Sequence, residues 1–117
     1  MSSSPTLDQL SHRGLEIAGL YDDLNRAQRG RVWTRAETMM GFVGDVGDLA
    51  KLVMAAEGAR SDVGGPDGGG PAETREPLEH ELADCLWAVL VLAHRYDVDL
   101  AAAYGRTMDE LEGRLRG

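Results

Sequence analysis

The chain predicts an all-α fold, and three observations carry that expectation. Hydrophobic residues make up 43% of its 117 positions but aromatics only 5%, and a set dominated by Leu, Val, Ala and Met suits helix packing better than sheets. Apolar residues recur at helical rather than alternating spacing, imperfectly in the first segment and clearly in the second. Helix-start signals stand ahead of three of the four segments.

The first helix is expected to open at Ser4-Pro5, an N-cap followed by proline at the first helical position, and to run to about Arg29. Gly14 and Gly19 weaken it, and Arg29-Gly30-Arg31 breaks it. A capping box, Thr34-Arg-Ala-Glu37, starts the second helix, which continues to about Glu57. Gly41, Gly44 and Gly47 recur inside it at three-residue spacing. Each costs about 1 kcal/mol relative to alanine, which suggests close approach of another helix or a ligand, with mere tolerance of glycine as the rival explanation. A Gly-rich loop is expected at about 58–74. The third helix is expected from about Glu76 to Tyr96, with Pro77 near its start. From Leu82 to Ala93 it is apolar almost all round, as a centrally packed helix is. Asp99 caps the fourth helix, which runs to about Arg116. The whole chain, 1–117, reads as a single helical domain of the four-helix bundle type. A helix apolar on every side exceeds what three short neighbours can cover, so a homo-oligomer, dimer or tetramer, is expected.

A net charge of −8 argues against binding a nucleic-acid polymer or an anionic membrane. The single Cys85 excludes an internal disulfide and fits a reducing cytoplasm. It reads as a small buried hydrophobe. No apolar run approaches transmembrane length, so a cytoplasmic location is expected. Met39, Met40 and Met54 read as core filling.

The chemistry sits in two acidic pairs, Asp45-x-x-Asp48 and Glu81-x-x-Asp84, each inside an apolar helix. Residues three apart share a helix face, so each pair can aim two carboxylates at one spot. Asp45 falls with Leu49 and Leu52 on the core-facing side, and Glu81 falls with Cys85, Ala88 and Leu92. No Lys or Arg stands within a turn of Glu81 or Asp84. Burying carboxylates without a positive partner is costly. Oxygen-only ligands point to Mg²⁺ or Mn²⁺ as that partner. Spacing alone leaves a second reading open, that of solvated acids on amphipathic helices. His80 and His94 read as structural or exposed. His80-Glu81 begins like a zinc-protease motif, but Asp84 stands where the second His belongs, and no Glu-x-x-His pair exists for a di-iron centre.

The stretch Val43-Gly-Asp-Val-Gly-Asp-Leu-Ala-Lys51 resembles the first motif of the MazG-like, all-α nucleoside triphosphate pyrophosphohydrolases. Glu81-Leu-Ala-Asp-Cys-Leu-Trp-Ala-Val-Leu-Val-Leu-Ala93, followed by Asp97-Val-Asp-Leu100, resembles the second motif and its turn. The compact dCTP-pyrophosphatase-like subgroup is the nearest in pattern, over about Trp33 to Met108. The resemblance implies metal-ligand and catalytic positions at Asp45, Asp48, Glu81 and Asp84. It also implies Mg²⁺-dependent hydrolysis of an NTP or dNTP to the monophosphate and pyrophosphate, in nucleotide-pool cleansing. Trp33 matches a Trp that precedes the first motif, and with Arg106 it is the candidate for substrate binding.

Departures are specific. Both acidic places of the first motif usually hold Glu and here hold Asp. A Lys and an Asn that bind nucleotide in the subgroup fall at Thr107 and Leu111, and an aromatic used against the base falls near Ala55. These departures leave an alternative: a degenerate member that binds nucleotide or a partner protein without turnover.

Overall fold

A computed structural model describes residues 3–58 and 71–117. Within them the chain is all helix, with four elements in the order α1 (Leu7–Arg29), α2 (Arg35–Ala56), α3 (Pro71–Arg95) and α4 (Leu100–Arg116), and no strand among the described residues. The chain forms two compact units. One comprises Met1–Val32 with Leu90–Gly117, and the other Trp33–Val89. The α3 helix runs through both.

Caps fix most of the boundaries. Thr34 accepts from Glu37 N, and the Glu37 side chain accepts from Thr34 N, which completes the expected box. Asp99 caps α4 through Ala102 N at 3.1 Å. The first helix starts later than its Ser4-Pro5 signal. Thr6 is its N-cap, with Gln9 closing a reciprocal box. That arrangement satisfies two orphan backbone donors, whereas Ser4 before Pro5 would have offered a weaker single cap. Gly30 ends α1 in the left-handed region, at φ 75°.

The third helix begins one to two turns before its expected start, so 71–74 is helical rather than loop. Pro71 occupies its first position, where the missing N–H costs nothing. Pro77 lies in the interior despite the hydrogen bond it forfeits. Thr74, fully buried, anchors that early turn, and Arg75 pairs with Glu79 at 2.9 Å across the proline. The rest of the expected Gly-rich loop, 59–70, lies outside the described residues. At its other end α3 closes with Asp97 at φ 55°, where Val98 N reaches Ala93 O and Asp97 N reaches His94 O. This is a Schellman stop with an acid in the place glycine usually takes.

Both cores are small. In the Trp33–Val89 unit the buried set is Thr38, Leu52, Ala55, Thr74 and Ala88; in the other it is Gly14, Ala18, Leu90 and Val91. Three expectations change as a result. Met39, Met40 and Met54 are exposed rather than core filling. Leu82 and Leu86, in the first half of the apolar stretch of α3, are also exposed, while Ala88, Leu90 and Val91 are buried. On α2, Met39, Val43, Val46, Ala50 and Val53 are all exposed at alternating four- and three-residue steps, a continuous apolar seam. Finally, among the described residues nothing lies within 4 Å of where a Cβ would stand at Gly44 or Gly47. Only Gly41 is closely approached, by the Trp33 ring at 2.9 Å from where a Cβ would stand.

Candidate metal centre

Two helices of the Trp33–Val89 unit build the site. The face of α2 that buries Leu52 and half-buries Leu49 also carries Asp45, and Asp48 lies one turn on toward solvent. The face of α3 that buries Ala88 carries Glu81, with Asp84 and Cys85 half-buried beside it. The acids ride inward on apolar faces whose burial is driven by their neighbours.

The structure brings the four predicted acids together in two overlapping groups. Asp45, Asp48 and Glu81 can each offer a carboxylate oxygen with all three oxygens within 4.8 Å of one another. Glu81 and Asp84 do the same with a ring nitrogen of His80. Glu81 belongs to both. Its Oε2 is enclosed and has no hydrogen-bond partner, a costly state for a carboxylate oxygen.

Electrostatics reflect the crowding. Burial raises the Glu81 carboxyl above the ordinary range, and Asp84, Asp48 and Asp45 push it further in that order. Asp45 is raised in the same way, first by burial, then by Asp84 and Asp48. For both, His80 is the group that pulls back down. The Cys85 thiol is raised by burial and by the surrounding carboxylates, which disfavours thiolate and fits a passive packing role.

His80 is the residue that sequence reasoning passed over. Its Nε2 lies 3.1 Å from Asp84 Oδ2. The signal was present in the four-residue step from His80 to Asp84, which places both on one helix face. The spacing alone does not separate such a pair from the structural or exposed role expected of His80.

Trp33 lies in the same unit, before α2, packed on Gly41. With Ala36, Glu37 and Met40 these residues line an open hollow of about 430 Å³. Gly41, Asp45 and Asp48 lie within about 60° of one another around α2, so the hollow and the carboxylates share one face, about a turn apart. Arg106 is exposed on α4, in the other unit. Of the positions where the subgroup carries nucleotide-binding groups, Thr107 donates to Ala103 O in its own helix, Leu111 is exposed, and Ala55 is fully buried.

No family model matches the chain. It is 33% identical over 75 residues to the Gene 37 protein of Mycobacterium phage L5. The aligned part covers 64% of this chain and 60% of the phage protein, so less than two thirds of that relative's length is spanned. No helix is long and apolar enough to cross a membrane among the described residues.

Proposed function

We propose that the chain is a MazG-like, Mg²⁺-dependent nucleoside triphosphate pyrophosphohydrolase, working as a homo-oligomer on an NTP or dNTP. The observation that carries this reading is the convergence of Asp45, Asp48 and Glu81 on one point, with Glu81 Oε2 buried and unpartnered. A hard divalent cation fits these residues. The donors are oxygens, their mutual repulsion is unrelieved by any Lys or Arg among the described residues, and a buried lone pair is left over. Mn²⁺ satisfies the same donors.

In this reading Asp45, Asp48 and Glu81 hold the ion, with Asp84 completing the acidic wall. Bound there, the cation would offset the polyphosphate charge and acidify a coordinated water for attack. The chain's own contribution is positional. Asp45 and Glu81 sit half out of water on rigid helices, which keeps the carboxylates aimed without the ligand. Trp33 offers an aromatic face, backed by Gly41 and flanked by Met40, about one turn from the acids. A base stacked there would leave its phosphates directed along α2 toward them. The exposed seam of α2 and the uncovered Leu82 and Leu86 of α3 are the surfaces a second copy would cover.

The second reading, binding without turnover, is favoured by one observation. Ala55 is fully buried, so that position itself offers no side chain to a base. The two readings part on pyrophosphate release from an NTP and dNTP panel. The enzyme reading expects metal-dependent release that Asp48→Ala or Glu81→Ala lowers by roughly 10²-fold or more, in line with the loss of an electrostatic group at a reacting centre. Turnover unchanged in both variants would sink it. Mg²⁺-dependent nucleotide binding without release from any substrate would establish the second reading.

A further inference from the structure

We propose that Glu37 selects the nucleobase. Its carboxylate, in the hollow beside Trp33, accepts from an exocyclic amino group, so cytosine, adenine and guanine are taken in preference to uracil and thymine. The inference rests on the nucleotide reading above and deepens it from any NTP or dNTP to one class of base.

Three observations carry it. Trp33, Ala36, Glu37, Met40 and Gly41 line one open hollow of about 430 Å³, which sets an aromatic ring, a thioether and a carboxylate around a common space. Glu37 is half-buried there and held in place before any ligand arrives. Its Oε1 accepts from Thr34 N at 3.0 Å, its own N donates to Thr34 Oγ1 at 3.1 Å, and buried Thr38 donates to Thr34 O at 3.1 Å. A carboxylate aimed by such bonds can read a ligand edge rather than follow it. It has about four acceptor positions and no donor, and the cap takes one of them. The third observation is the sign of the lining. Among the described residues no Lys or Arg lines the hollow, so its one charged side chain is an acceptor.

Ring and carboxylate divide the recognition. Every base has a π face, so stacking on Trp33 gives affinity with little preference. The edge gives the preference. Cytosine and adenine present amino donors, guanine carries one at N2, and a carboxylate accepts from cytosine N4 in this way. Uracil and thymine present a carbonyl oxygen where cytosine has its amino group. Acceptor then faces acceptor, and the half-buried carboxylate loses water without gaining a partner. The plain alternative is that Glu37 only closes the capping box. A glutamine closes the same box. Capping is therefore indifferent to exchanging a carboxylate oxygen for an amide NH₂, whereas base selection is not.

Equilibrium binding of CMP, AMP, GMP and UMP to the full-length protein in Mg²⁺ tests this without turnover. The wild type should bind CMP, AMP and GMP roughly tenfold more tightly than UMP. Glu37→Gln, which keeps the cap and adds a donor, should bring the CMP to UMP ratio to about one or invert it. Trp33→Ala should weaken all four alike. UMP bound as tightly as CMP by the wild type, or a ratio unchanged in Glu37→Gln, overturns the proposal. Failure of every monophosphate to bind at millimolar concentration overturns it as well. Pyrophosphate release that needs Glu81 but is equal for cytosine and uracil nucleotides would reject this inference alone. The expected base preference in binding, with no release from any triphosphate, would reject the enzyme reading alone.

Discussion

Asp22 and Asp23 on α1 and Asp45 and Asp48 on α2 are the same residue type on amphipathic helices, yet they are treated differently. Asp22 faces Arg95 at 3.6 Å, in a pair whose side chains are largely shielded, and Asp23 meets Arg26 at 3.4 Å. Both of these acids have a cation built into the chain. In the Trp33–Val89 unit the acids converge on one another instead, and the group easing the repulsion on Asp45 and Glu81 is a histidine. The contrast teaches that the second set is not ordinary helix decoration. A chain that places Arg95 beside Asp22 pairs none of Asp45, Asp48, Glu81 and Asp84 with a Lys or Arg among the described residues, and a cation from solution would balance them.

The largest expected break in the comparison is functional. Glu81→Gln should lower pyrophosphate release by roughly two orders of magnitude, whereas Asp22→Asn should leave turnover unchanged and lower stability by about 1 kcal/mol. Equal effects of the two variants on turnover would erase the distinction between the two sets of acids.

Next comes pH. In the unfolded chain Asp45 and Glu81 titrate in the ordinary carboxylate range, and in the folded chain they hold their protons to higher pH. The native state thus binds more protons than the unfolded state across that interval. Stability must fall as pH rises through it, and the deficit is complete above the raised values. Melting curves of metal-free protein should show that fall, and Asp45→Asn with Glu81→Gln should remove it. Excess Mg²⁺ or Mn²⁺ should reverse the trend, since the cation favours the deprotonated carboxylates. Asp22→Asn should leave the trend in place.

The smallest effects belong to the glycines of α2. Gly44→Ala and Gly47→Ala meet open space and should each stabilise the chain by about 1 kcal/mol. Gly41→Ala puts a methyl 2.9 Å from Trp33 Cζ3, so the ring must move. That variant should be nearly neutral in stability and should alter Trp33 fluorescence and nucleotide affinity. Loss of assembly in Gly44→Ala or Gly47→Ala, read by sedimentation, would mean that a second copy packs on those glycines and would sharpen where the oligomer forms.

Much of this arrangement was legible in the sequence because local chemistry decides it. Thr34 and Asp99 cap helices with side-chain oxygens in a pattern that leaves little choice. The inward placement of Asp45 and Glu81 followed from their register with Leu52 and Ala88. What failed did so where two local signals competed or where coverage depends on packing. Ser4-Pro5 and Thr6-x-x-Gln9 both announce a helix, and the reciprocal box won. Pro77 looked like a helix start, but the burial of Thr74 outweighed the missing hydrogen bond. The methionines of α2 were read as core because they are apolar, and whether an apolar side chain is covered depends on partners a sequence does not display. That His80 acts on Asp45 as well as on its own-helix neighbour Glu81 shows only with the two helices side by side.

The most direct test of the central claim is thermal melting of the metal-free protein against the same protein in saturating Mg²⁺ or Mn²⁺, repeated for Asp45→Asn with Glu81→Gln. At a hundredfold excess over Kd a single bound ion adds about 2.7 kcal/mol. The wild-type midpoint should therefore rise by several degrees, while the variant, already relieved of two converging charges, should not respond. A wild-type midpoint indifferent to both cations would contradict the account. The acids of the Trp33–Val89 unit would then be no more than solvated helix charges.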